Sequence, residues 1–217
     1  MSLSELFLNI GSYLKVAGFV LAPFLLLPIL GILFPEKIHP FSSKLSKSID
    51  RFSQLGMGVS TIACLVMFFS QIAIVFLRYM FSISYSWLNE IVIYSFAALF
   101  IFAVASTLRD DKHVRVDVLR DRMSPKLVAA VELSGFFFFL LPVCMLILWA
   151  FEPALTRSWK FFEGSRESDG LNYLYLFKTM VPVLAITLII QGLSESIKAA
   201  HIFNHHSDLT NGKERMD

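Results

Sequence analysis

The chain has 217 residues, of which 56% are hydrophobic and 17% charged, with a formal net charge of +2. Water-soluble domains carry about one quarter charged residues, so a mean hydropathy of +0.65, with the apolar residues gathered in long blocks, excludes a soluble domain. So small a net charge leaves no electrostatic footprint for nucleic acid, and two cysteines, Cys64 and Cys144, make neither a disulfide framework nor a metal pattern.

The N-terminal stretch MSLSELFLNIGSY holds no basic residue before Lys15. It lacks the positive region of a cleavable signal peptide, so the first apolar run is read as retained. That run, 16–34, is interrupted by Pro23, Pro28 and Gly31, which predicts an extra N-terminal hydrophobic helix that is kinked or only partly inserted. Four further runs follow at 55–77, 91–108, 127–151 and 174–193. Each is near the roughly 20 residues a helix needs to cross a bilayer. Ser124-Pro125 before the fourth run is a helix start, with Ser as N-cap and Pro as the first helical residue. The expectation is an all-α integral membrane protein with a four-helix transmembrane core over 51–200. A hydrophobic, membrane-associated extension over 1–50 precedes it and a tail over 201–217 follows.

Orientation follows from Lys and Arg. Thirteen of the nineteen lie in 35–54, 109–126 and 198–217, and six lie on the other side. The positive-inside rule places the thirteen in the cytoplasm, and the C-terminus with them. If 16–34 spans the membrane the N-terminus is outside; if it lies on the surface, both ends are inside.

A haem held in a bundle needs histidines projecting into the membrane core. His39, His113, His201, His205 and His206 all lie outside the apolar runs, so no cofactor and no metal is expected. Buried ionisable groups would mark an ion or substrate path. The candidates Glu132, Lys178 and Glu195 all sit near the ends of their runs. Lys178 is read as an interfacial anchor whose stem reaches the headgroups. Ser70 and Gln71 lie inside the second run and suit hydrogen bonding between helices. No nucleotide-binding glycine pattern, nucleophile elbow or HExxH occurs, and no catalytic residue is assigned.

Between the second and fourth runs stands RYMFSISYSWLNEIVIYSFAALFIFAVASTLRDDKHVRVDVLRDRMSP. Arg78 ends one span, Tyr85 and Trp87 suit the interfacial aromatic belt, and Glu90 opens the next helix near its positive dipole end. In the charged loop Val114, Val116 and Val118 alternate with Arg115 and Asp117. That pattern is read either as a solvated loop that fixes topology or as a short extended or turned segment that docks a second subunit.

The residues RY at 78–79, WLNE at 87–90, RDDKHVRVDVL at 109–119 and GSRESDGLNYLYLFKTMVPV at 164–183 resemble the DctQ-like small membrane subunit of tripartite ATP-independent periplasmic (TRAP) transporters. The resemblance runs in order over about 52–200. Two departures stand out. Asn89 precedes a single Glu90 where the family often has two acids, and Asp110-Asp111 replaces its Gly after Arg109.

The resemblance implies a non-catalytic subunit that steadies a large, DctM-like elevator subunit carrying the ion and substrate sites. A periplasmic solute-binding protein delivers an organic acid, and uptake is driven by an ion gradient across the bacterial or archaeal inner membrane. It implies subunit-interface or structural roles for Arg78, Trp87, Glu90, Arg109, His113 and Asp117. It also makes Glu163, Arg166, Glu167 and Asp169 candidates for docking the binding protein. The expected partners are therefore these two proteins and membrane lipids. Two other classes fit the same composition: a self-sufficient small homo-oligomeric transporter, and a membrane anchor for an unrelated complex.

Overall fold

The structure, a computed structural model, describes residues 25–33, 35–110 and 122–214. Among them all regular structure is helical: α1 (Leu27–Leu33), α2 (Pro35–Phe81), α3 (Ser86–Arg109), α4 (Pro125–Gly135), a π-helical turn (Phe136–Leu140), α5 (Leu141–Lys160) and α6 (Leu174–Glu214). Among the described residues four helical stretches are long and apolar enough to cross a membrane: Phe41–Phe81, Ser86–Arg109, Pro125–Lys160 and Leu174–Asn204. The all-α, four-span expectation holds. The third stretch begins as its sequence predicts, with Ser124 Oγ accepting the Leu127 N–H at 3.3 Å and Pro125 in the first turn.

The helices are longer than the apolar runs. The basic segment before the second run is the first part of α2, and α6 continues past its run to Glu214. α2 passes through position 50, and α6 through position 200, without a break. Of the expected N-terminal helix, residues 16–24 lie outside the described residues. What is described is the seven-residue α1, far short of a span and packed on α6, where Asn204 Nδ2 donates to the Gly31 carbonyl at 2.8 Å.

Connections 82–85 and 161–173 lie at one end of the bundle, called upper here. The end of α3, the start of α4, the start of α2 and the far half of α6 lie at the lower end. In lipid, apolar surface drives little helix association, so close packing and hydrogen bonds must hold the bundle. The α2 face turned to α3 and α6 is accordingly built of small residues. Ser46, Ser53, Ser60 and Ala63 are buried along it, Ser60 Oγ donates to the Leu99 carbonyl at 3.1 Å, and a Cβ at Gly56 would stand 3.4 Å from Phe102.

The apolar core is Phe136, Leu193 and Ile197, flanked by Leu25, Leu45, Phe137 and Leu140. Gly192 lets α6 press onto the π turn, because a Cβ there would meet Phe136 ring carbons at 2.8 and 2.9 Å. The π turn sends Phe136 inward and leaves Phe138 and Phe139 more than 70% exposed, the outward apolar surface that the Phe-rich sequence suggests.

Candidate functional site

Two polar clasps, one at each end of the bundle, take up Glu90, Arg109, Glu163, Asp169 and Lys178 of the charged side chains singled out above. At the upper end Glu90, the fifth residue of α3, does more than sit near a helix dipole. Its Oε2 accepts the Leu171 N–H at 2.6 Å and its Oε1 accepts the Ser165 hydroxyl. Ser165 in turn donates its N–H to the Leu171 carbonyl at 3.1 Å and accepts the Glu167 N–H at 3.1 Å. The loop thus folds around one carboxylate. Gly170 makes that possible, since a Cβ there would fall 2.1 Å from Ser165 Oγ and 2.7 Å from Glu90 Oε1.

Asp169 Oδ2 accepts the Ser86 N–H at 2.9 Å, satisfying one of the free donors of the α3 first turn. That hydrogen bond lowers the Asp169 pKa. Lys178 pairs with Glu163, and this contact lowers the Glu163 pKa. The loop is further tied down by Glu163 N–H to the Ser158 carbonyl at 3.0 Å and Tyr175 N–H to the Glu163 carbonyl at 3.2 Å. Trp159 Nε1 donates to Thr179 Oγ1 at 2.9 Å, and Tyr94 stacks on Phe177 with ring centroids 5.0 Å apart.

At the lower end the centre is Asp50 on α2. Its Oδ1 accepts Gln191 Nε2 at 3.1 Å and Ser194 Oγ at 2.9 Å, and its Oδ2 lies 2.8 Å from Lys198 Nζ. Lys198 also pairs with Glu195 at 2.8 Å, and Gln191 Nε2 donates to Glu195 Oε1 at 3.0 Å. Ser46 and Ser194 hydroxyls meet at 2.7 Å, and Ser42 Oγ lies 3.0 Å from His201 Nε2. Arg109 brings in α3 by donating to the Asp50 carbonyl at 3.1 Å while pairing with Asp110 at 2.7 Å. Ser42, Ser46, Gln191 and Ser194 are all buried, so the clasp is a packed joint between helices.

Glu90 and Arg109 are nineteen residues apart on α3, and Lys178 and Lys198 are twenty apart on α6. At 1.5 Å per residue both separations are about 30 Å, one hydrocarbon thickness. The carboxylates of both clasps are held by donors of their own chain: Glu163, Asp50 and Glu195 by an ammonium group, and Glu90 and Asp169 by N–H and O–H groups. Chemically the arrangement fixes helices; among the described residues no group of three or more His, Cys, Asp or Glu could hold a metal ion.

Of the residues the sequence marks, Glu90, Glu163, Asp169 and Lys178 come together in the upper clasp and Arg109 joins the lower one. Lys178 engages Glu163 of its own chain in the position where a reach to lipid headgroups was expected. Arg166 and Glu167 are exposed beside the clasp. Trp87 is 38% exposed in the first turn of α3, its ring 5.9 Å from Tyr85, and Arg78 is exposed in the last turn of α2. His113 and Asp117 lie outside the described residues. No local motif marks Asp50, Gln191, Ser194 and Lys198 as a unit. A signal was present in Ser46, Ser53 and Ser60, each seven residues apart, which places them on one helix face.

Comparisons with curated proteins and with solved structures gave no match. The sequence model of the family described as tripartite ATP-independent periplasmic transporters, DctQ component, matches residues 65–201, from the middle of α2 to the lower part of α6. That stretch is more than half of the chain and holds the whole upper clasp together with the α3 and α6 sides of the lower one. The chain therefore belongs to the DctQ family, the small permease component of TRAP transporters.

Proposed function

We propose that this chain is the fixed, non-catalytic membrane subunit that steadies a large elevator-type subunit during ion-gradient-driven uptake of an organic acid. The observation that carries this reading is the pair of clasps about one bilayer thickness apart. A moving transport domain needs polar groups free to bind and release cargo within the span. Here the clustered charges are tied to their own chain at the two rims, as suits a part that stays still. The basic lower end, with the C-terminus, faces the cytoplasm of the bacterial or archaeal cell by the positive-inside rule. The upper loop then faces the periplasm. In that loop Glu163 and Asp169 hold the fold, which leaves exposed Arg166 and Glu167 as the side chains offered to a solute-binding protein. Arg78 and Trp87 anchor the outer rim, and His113 and Asp117 contact the large subunit.

The test is to tag the C-terminus, extract native membranes in mild detergent and identify partners by mass spectrometry. A large permease subunit in equal amount is expected. Vesicles holding both subunits should take up substrate when the binding protein is supplied. Vesicles holding this chain alone should not, and uptake by them would overturn the scaffold reading.

A further inference from the structure

The exposed surface of α2 carries two different stripes. Leu55, Ile62, Phe69 and Phe76, each seven residues apart, are all at least half exposed and purely apolar, as a lipid-facing row should be. A second exposed row lies about a quarter turn from the small-residue face that packs on α3. It follows the alternating three- and four-residue spacing of a helix-packing seam and contains Gln54, Thr61, Cys64, Gln71 and Arg78, with Phe68 between them. Thr61 satisfies itself by donating to the Met57 carbonyl at 2.9 Å. Gln71 has no hydrogen-bond partner among the described residues, although it lies seven residues, about 10 Å, into the span from Arg78. An unpaired amide in hydrocarbon costs several kcal/mol, and a helix bathed in lipid on this side has no use for one.

We propose that this seam of α2 is the contact face for a transmembrane helix of the large subunit, with Gln71 making the hydrogen bond that fixes its register. The proposal rests on the scaffold reading above and adds which face does the work. Charge decides between this partner and a second copy of the chain. Copies in one membrane share an orientation, so a two-fold pairing along this seam sets Arg78 against Arg78 at one end and exposed Lys47 against Lys47 at the other. Like charges placed opposite one another are destabilising. The partner helix is therefore one with a hydrogen-bonding side chain opposite Gln71 and an acidic side chain near Arg78.

The test uses the assembled transporter, with this chain and its large subunit produced together. The photo-cross-linking residue p-benzoylphenylalanine replaces Cys64, Phe68 or Val75 on the seam and, as controls, Ile62 or Phe69 on the apolar stripe. Irradiation of native membranes is expected to give an adduct with the large subunit from the seam positions, at least tenfold stronger than from the controls. Adducts of two copies of this chain from the seam, or equal yields from both stripes, overturn the proposal. In a second arm, Gln71→Leu should cut co-purified large subunit several-fold while leaving the melting temperature of this chain alone unchanged; full co-purification would remove Gln71 from the contact. If the unaltered chain captures its large subunit but the seam positions give no adduct, the face is wrong and the scaffold reading survives. If no large subunit is captured, the scaffold reading itself is lost.

Discussion

Gly170 is the residue on which the upper loop turns. Any side chain there enters space held by Ser165 Oγ and Glu90 Oε1, so Gly170→Ala must push the carboxylate away from its two donors. Leaving buried polar groups unpaired costs about 1–3 kcal/mol, and thermal unfolding in detergent should show a loss of that size; an unchanged midpoint would mean the loop adapts without releasing Glu90. The Glu163–Lys178 pair makes a separate prediction. The contact lowers the Glu163 pKa below its ordinary 4.5. A lowered carboxylate pKa adds stability that is fully present above the unfolded value and is lost as pH falls through the folded one. The melting-temperature gap between the unaltered chain and Lys178→Met should therefore be constant from about pH 7 down to about pH 4.5 and close below that. A gap that stays open in stronger acid would assign Lys178 a role other than neutralising Glu163. Glu90 itself was legible as important from WLNE, but its partners Ser165 and Leu171 stand 75 and 81 positions away. Local pattern carries no information at that separation.

At the scale of elements, the spans were legible because runs of Leu, Ile and Phe announce themselves by length alone. Helix ends were legible where a local signal exists, as at Ser124-Pro125. The first part of α2 was not, because Lys44, Lys47 and Arg51 break up any apolar run there and left only their charge to read. In the structure Ser42 and Ser46 lie on α6, and Lys44, Lys47 and Arg51 are exposed on the rest of the helix circumference. A period of seven hidden among charged residues is weak beside their polarity. The lower clasp tests whether this α2–α6 joint holds the bundle. Asp50→Ala leaves Gln191, Ser194 and Lys198 without their shared acceptor and should cost about 1.5–3 kcal/mol. Asp50→Asn keeps an acceptor for Gln191 and Ser194 and should cost distinctly less. Equal losses in chemical unfolding would mean that the Lys198 charge, and not the hydrogen-bonded network, is what matters.

For the whole molecule, four spans and a family could be read before any coordinates, because both depend on ordered local motifs. The depth at which the chain grips itself could not, since it is set by residues that meet only across helices. That grip has a geometric consequence. Below Asp50, α2 continues for fifteen residues, and below Lys198, α6 continues for sixteen, each about 23 Å at helical rise. The two ends leave the lower rim together, with Ser42 against His201 just past the last charged pair. Seen edge-on in a lipid disc, this 24.6 kDa protein is not a plain disc filling. Among the described residues it has a stub on one side only, a built-in arrow that tells an electron microscopist which leaflet is which before a single side chain is resolved.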